Sequence, residues 1–468
     1  MVEHSNSASD ASPVAIQGPS LRAAISTSIC DAALGSVLSF TYIASRTVVV
    51  QARQIGLIAF LGLVIGTATF NRGFALLSLG PVYVTEVCLA LMCLTTLAEL
   101  SKKRIQFLPT DRVARVVAFA VLGYLAWGFL RLVPDLLAPT LLATIRNFAL
   151  VYYASFCILT WTTIQKSDVE WVIRVVLGAI VLLSTVTNTV TVALFYLQEG
   201  ATDDPNLKVI QGQAAVFALL SVVILITLIR FHAFARMPLL PQIAGGLLIV
   251  NLLFVYLSGH RSAFIAVGAG VGVLVLAKER RKINLMKGAL AFGVFALLLV
   301  LAWKFVAPSV GVLAEKYQTI FTPTEEANAA WRLEFWIAMV SLWSSAPIAG
   351  VGFAYDFINV EPWGLVEEHY DPHNSYLAIL ARVGVIGIVL MIVCLVSGCV
   401  LFTRIMRSSG SPKKRMLAAC LFSSFVAIAV FATANVTLES PYHAIFLWIF
   451  AGLGIALSQS AVQGPVPS

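Results

Sequence analysis

Apolar residues in this chain neither alternate with polar ones at a strand period nor form a single stripe on otherwise polar helices. They run in uniform blocks broken by short polar connections. One helix crossing a bilayer core needs ~20 apolar residues. That ruler predicts about twelve spans, at 54–70, 81–100, 113–133, 141–164, 171–197, 209–229, 239–257, 262–277, 285–305, 375–403, 416–435 and 441–459. The expected fold is all-α and polytopic. Residues 1–50 read as a cytoplasmic tail with an interfacial segment, and 51–305 as an N-terminal bundle of nine spans. Residues 306–374 form one large extracytoplasmic loop, and 375–468 carry spans ten to twelve. Within the first segment, 1–20 is polar and lacks the apolar core of a signal peptide. The stretch 21–45 carries Arg22, Asp31 and many Ser and Thr, and reads as interfacial or non-spanning.

Basic residues orient the bundle, because cytoplasmic loops of membrane proteins are enriched in Lys and Arg. One set of connections holds Arg46, Arg53, Lys102–Arg104, Arg112, Arg115, Lys166, Arg174, Arg230, Arg236, Lys278, Arg280–Lys282, Lys287, Arg404, Arg407 and Lys413–Arg415. The opposite set is poor in them and includes Asp203-Asp204, so both termini are expected in the cytoplasm. Loop 306–374 then faces outward. It is rich in aromatic and acidic residues, and 330–345 predicts an amphipathic helix with Trp331, Phe335, Met339 and Leu342 on one face.

Composition agrees. The 468 residues are 59% hydrophobic and 12% charged, with a mean hydropathy of +0.90. Soluble domains are nearer ~25% charged, which excludes a soluble enzyme, a nucleic-acid-binding module and a disordered scaffold. The net charge of +8 sits in the cytoplasmic loops and implies no nucleic acid. Seven cysteines lie in apolar stretches, without metal-type spacing, and read as small apolar side chains. The chain has no Gly-rich phosphate loop ending in Gly-Lys-Ser/Thr, no Asp-x-Asp pair in the outer loop and no His-Glu-x-x-His.

Ionisable groups at membrane depth are costly and mark candidate sites. Arg261, in Ser258-Gly-His-Arg-Ser262, either snorkels at the outer interface or faces a cavity open to it. Arg332, on the loop helix, is either a solvated charge or a ligand for an anion. Arg146 either anchors its span or binds substrate, and Glu86 either pairs with an arginine or is a satisfied buried acid. His373 stands where the loop enters span ten, followed by Asn374 as a helix cap. Glycines at Gly384 and Gly387 permit close helix packing there. His260 and His369 are weaker candidates, and His443 reads as interfacial.

Three segments together resemble the O-antigen ligase and O-antigen polymerase superfamily of bacterial envelope glycosyltransferases. His373-Asn374, then nine residues, then Gly384-Val-Ile-Gly387 resembles the family's signature at the end of its large periplasmic loop. Ser258-Gly-His-Arg261 is similar to its Ser-Gly-x-Arg segment. Arg332, ahead of Phe335-Trp336 and Pro347-Ile-Ala-Gly350-Val-Gly352, resembles its arginine, aromatic, Pro-x-x-Gly-x-Gly pattern. The motif resemblance covers roughly residues 250–400; the first half matches only in layout and at Arg146-Asn-Phe. Arg382 departs from the family, where an acidic or neutral residue is usual. It either alters acceptor choice or pairs with a loop carboxylate.

The resemblance implies a multi-pass enzyme of the bacterial inner membrane with its site on the periplasmic side. The donor would be an undecaprenyl-diphosphate-linked oligosaccharide and the acceptor a glycan or lipid-linked sugar hydroxyl. Besides the lipid bilayer, a polysaccharide flippase and a chain-length regulator are the expected partners, and no cofactor or metal is expected. Arg261 and Arg332 would hold the diphosphate in bidentate forks, and His373 would act as general base. Arg146, Glu86, Asn374, His260 and Arg382 are the expected substrate contacts. Displacement would invert the anomeric centre. Polymerase is the preferred reading and ligase its alternative. A twelve-span secondary transporter is the alternative from another class, but the halves show no mutual similarity, which such transporters tend to have.

Overall fold

The computed structural model describes residues 53–79, 82–165, 167–198, 210, 212–233, 239–276, 327–355, 357 and 373–460. The expected tail 1–50, span 285–305 and the rest of the long loop, His369 included, lie outside the described residues. The chain divides into two compact units, Met1–Gln54 and Ile55–Ser468, and the helical bundle is the second.

Each predicted span among the described residues is a helix. They are α1 (Arg53–Phe70), α3 (Val84–Ser101), α4 (Arg112–Leu132), α7 (Val169–Gln198), α8 (Gly212–Arg230), α9 (Leu240–Leu257) and α10 (Arg261–Leu276). After the loop helix α11 (Ala327–Ser345) come α12 (Ser375–Ser408), α13 (Pro412–Phe431) and α14 (Pro441–Gln459). The predicted span 141–164 is instead a pair, α5 (Leu141–Tyr152) and α6 (Ser155–Ile164), bent by 57°. Among the described residues, eight helices are long and apolar enough to cross a membrane, nine with the bent pair, while α8 and α10 are shorter apolar helices. The all-α expectation misses one detail: after the short α2 (Arg72–Leu76), Ser78–Leu79 and Val82–Tyr83 pair as a two-residue antiparallel hairpin, β1 and β2.

Exposure runs opposite to that of a soluble protein. On α12 the exposed positions Val385, Val389, Ile392, Val396 and Val400 recur at helical spacing, a stripe suited to lipid. The centre is α14 and α13, with 83% and 72% of their apolar windows buried, against 22% for the peripheral α9. This is a multi-pass membrane protein.

Polar contacts gather at the two ends of the bundle. At one end the basic connections meet: Arg404 pairs with Asp111 at 3.0 Å, and Lys413 with Glu170 at 2.9 Å. There the Gln106 amide N–H donates to Gln165 (2.9 Å), and the Arg230 guanidinium donates to the Leu274 carbonyl (3.2 Å). At the other end lie the candidate motifs.

The most unusual backbone is inside α12. Gly384, expected to lie within a regular helix, has φ 75° and ψ −171° and interrupts it. A broken turn in a bilayer must find partners for its freed groups, and the Pro347–Gly352 segment supplies them. The Val385 N–H donates to the Pro347 carbonyl (2.9 Å). The carbonyls of Ala381 and Arg382 accept from the N–H groups of Val351 (2.8 Å) and Gly352 (3.0 Å). The remaining carbonyl, of Val383, accepts from the Trp127 indole at 3.0 Å. The far side of the segment is tied to α4 and α5. Arg131 donates to the carbonyls of Ala349 (3.1 Å) and Gly350 (3.2 Å), and Asn147 donates to that of Phe353 (2.8 Å). Asp135 accepts from the Phe353 N–H at 2.6 Å. The two glycine-containing motifs are thus two sides of one backbone joint.

A methyl group at position 384 would lie 2.1 Å from the Ile348 carbonyl oxygen, whereas one at Gly245 on α9 meets nothing within 4 Å. Gly384→Ala is expected to cost roughly 3 kcal/mol or more, from Gly-only backbone plus a clash. Gly245→Ala should be neutral or stabilising by up to about 1 kcal/mol. Thermal unfolding of the detergent-purified variants checks the contrast.

Candidate functional site

The site is built on four local structures. The first is the tight turn between α9 and α10. Ser258 is fully buried, its hydroxyl donating to the Val255 carbonyl (2.6 Å) and accepting from the His260 N–H (3.3 Å). Gly259, at φ 63°, takes the left-handed conformation that turns the chain back. Arg261 therefore becomes the first residue of α10, half-buried at the motif end of the bundle. His260 packs beside Phe431, ring centroids 6.5 Å apart.

The second is α11. The face predicted from its sequence turns inward: Phe335 and Met339 are buried, and Trp331 and Leu342 pack against the core. Arg332, next to that face, donates from Nη1 to the Ala434 carbonyl at 3.3 Å. The third is the start of α12. Asn374 caps it as expected, its side-chain oxygen accepting from the N–H groups of Tyr376 (3.1 Å) and Leu377 (3.2 Å). His373, just before the cap, has φ 48°, an uncommon backbone for a residue other than glycine. Its imidazole meets the Trp331 ring edge to face at 5.8 Å.

The fourth is the connection between α13 and α14, residues 432–440, and it joins the other three. The Ala432 carbonyl accepts from the Ser375 N–H at 3.1 Å. Ala434 accepts from Arg332. Asn435 donates to the Ser262 hydroxyl at 2.7 Å. The N–H groups of Thr437 and Leu438 donate to the Ser375 hydroxyl at 3.0 Å each, and Glu439 accepts from that hydroxyl at 2.5 Å. Arg261, Arg332 and His373 are thus each on, or within two residues of, a side chain bonded to one short turn. The N-termini of α10, α12 and α14 also meet there. Each carries the positive end of a helix dipole; the Arg332 guanidinium adds to that potential, and the Glu439 carboxylate lies at the same place.

The remaining candidates lie elsewhere or serve the frame. Glu86 reciprocally caps α3 with Tyr83: its Oε2 accepts from the Tyr83 N–H at 3.0 Å, and its Oε1 accepts from the Tyr152 hydroxyl at 3.2 Å. Arg146 is exposed and stacks over the Tyr83 ring at 5.7 Å. This neighbourhood belongs to α3 and α5. Arg382 is buried in the joint around Gly384, donating to the Tyr355 carbonyl (2.8 Å) and lying 3.8 Å over the Phe357 ring. His443 is buried rather than interfacial, at 3% exposure, between Phe431 and Tyr442. The six described cysteines are free.

Asn435 and Glu439 are the residues that sequence reasoning missed. Asn435 fell inside the predicted span 416–435, and Glu439 lay in a connection too short to stand out. Their signal was two polar residues, at the end that holds Arg261 and His373, between otherwise apolar spans.

Residues 244–392 match a family model described as O-antigen ligase. That stretch holds Arg261, Arg332, His373 and both sides of the Gly384 joint, and it stops before the 432–440 turn. No curated protein matches the chain.

Asn435→Ala removes the bond to Ser262 and a second one to the Phe431 carbonyl (3.1 Å). It should cost about 1–3 kcal/mol. In a double-mutant cycle with Ser262→Ala, thermal unfolding should show a coupling of roughly 1 kcal/mol.

Proposed function

Since the match at residues 244–392 supports the O-antigen ligase and polymerase superfamily, we propose that this protein transfers a glycan from undecaprenyl diphosphate to an acceptor sugar hydroxyl. The reaction runs at the outer face of a bacterial inner membrane. The observation that carries this reading is the convergence of the Arg261, Arg332 and His373 segments on the 432–440 turn. The meeting of basic connections at the opposite end supports the outward orientation, since those connections belong in the cytoplasm. A secondary transporter tends to show two related halves, and the halves of this sequence show no mutual similarity.

The chemistry follows from the side chains. The leaving group is a lipid diphosphate. Arg261 and Arg332 bind its oxygens and offset the charge that grows as the anomeric C–O bond breaks, aided by the three helix N-termini. His373 accepts the proton of the acceptor hydroxyl as its oxygen attacks the anomeric carbon from the opposite face. The C–O electron pair leaves with the diphosphate, and the configuration inverts. Cleavage of the diphosphate linkage supplies the driving force, so no nucleotide is consumed.

With a second carrier-linked repeat unit as acceptor, the enzyme is a polymerase acting beside a flippase and a chain-length regulator. The second reading, which the family match does not distinguish from the first, is ligation to a lipid A core or a protein. Loss of a carrier-linked size ladder on deletion identifies a polymerase; accumulation of long carrier-linked glycan identifies a ligase.

Purified protein given a defined undecaprenyl-diphosphate oligosaccharide should yield product by mass spectrometry, unchanged by EDTA. His373→Ala should lower the rate by about 10²–10⁴-fold. Arg261→Ala and Arg332→Ala should each cost roughly 10²-fold or more. All three should remain folded in the membrane. A His373→Ala enzyme with near-normal rate overturns the base assignment.

A further inference from the structure

His373 does not hold its position unaided. Its left-handed φ of 48° is strained for a side chain other than glycine, and such a conformation persists only where the surroundings over-determine it. On its C-terminal side the surroundings are specific. Ser375 is fully buried, and each hydrogen-bonding capacity of its hydroxyl is taken. The oxygen accepts from the Thr437 and Leu438 N–H groups at 3.0 Å each, so its one proton must point away from both. Two acceptors compete for it, the Asn435 carbonyl at 3.2 Å and Glu439 Oε2 at 2.5 Å. The carboxylate is the stronger acceptor of the two, because charge-assisted hydrogen bonds are stronger than neutral ones. Glu439 therefore sets the orientation of the Ser375 hydroxyl, and through it docks the start of α12 on the 432–440 turn.

We propose that Glu439 is a positioning residue for His373: its carboxylate clamps Ser375, which holds the strained His373–Asn374 step and aims the imidazole at the acceptor hydroxyl. The inference rests on the reading of His373 as general base. In this role Glu439 acts through Ser375 and not on a reacting atom. It differs from the arginines in what its loss should do: donor affinity stays, and turnover falls.

Four proteins test this: wild type, Glu439→Ala, Glu439→Gln and Ser375→Ala, each assayed with the carrier-diphosphate oligosaccharide. Glu439→Ala and Ser375→Ala are expected to lower kcat by about 30-fold while donor KM stays within about threefold. Glu439→Gln, whose amide oxygen still accepts from Ser375, should recover to within about fivefold of wild type. Hydrogen exchange read over residues 373–378 gives a measure independent of activity. It should quicken in Glu439→Ala and stay near wild type in Glu439→Gln. The proposal is overturned by a Glu439→Ala kcat within about threefold of wild type, by Glu439→Gln failing as badly as Glu439→Ala, or by a loss carried in donor KM. If Glu439→Ala does not fold, Ser375→Ala is judged by the same limits; if neither folds, the contact serves the fold and the proposal fails. Should wild type transfer nothing, the proposed function falls, and hydrogen exchange alone still decides whether the clamp exists.

Discussion

A bilayer offers no water to a backbone N–H or C=O, so irregular chain at membrane depth exists only where protein satisfies it. The motif end of this molecule is organised by that constraint. α12 breaks at Gly384, and the carbonyls and N–H groups released there are taken by Pro347–Gly352 and Trp127. The partner segment is in turn sewn to Arg131, Asp135 and Asn147. A helix that ends in the long loop and a helix that leaves it are thereby fixed to the same wall. Arg332, on the first of those helices, and His373, just before the second, gain a defined relation that loop connectivity alone would not give.

The second organising element is the turn between α13 and α14. It carries few charges, yet it accepts or donates hydrogen bonds to three segments far apart in sequence. Its short length matters. Two antiparallel central helices hold both of its ends, so its carbonyls and amides are aimed with little freedom.

Much of this was legible from residue patterns. Uniform apolar runs located the spans, because one helix must carry enough hydrocarbon to match a bilayer. The inward face of α11 followed from 331, 335, 339 and 342 at helical spacing, and the cap at Asn374 from its place before an apolar run. What was not legible depended on contacts between distant segments. Gly384 read as a packing glycine because a helix break leaves no mark in hydropathy. Arg382 read as a contact to substrate or to a carboxylate, since nothing local reveals that carbonyls of 352–355 surround it. The hairpin at 78–83 was too short to show a period. The bend between α5 and α6 fell at Tyr153-Ala154, with no proline or glycine in the run 141–164 to mark it.

The turn at 432–440 lies beyond the stretch recognised at family level, on the last helical hairpin. Recombination between relatives is constrained accordingly. A chimera that exchanges only 244–392 imports the arginines and the histidine but leaves them seated on a foreign cradle. A crossover placed before the α9–α10 turn, with everything after it inherited as one block, keeps the cations and their mount from a single parent.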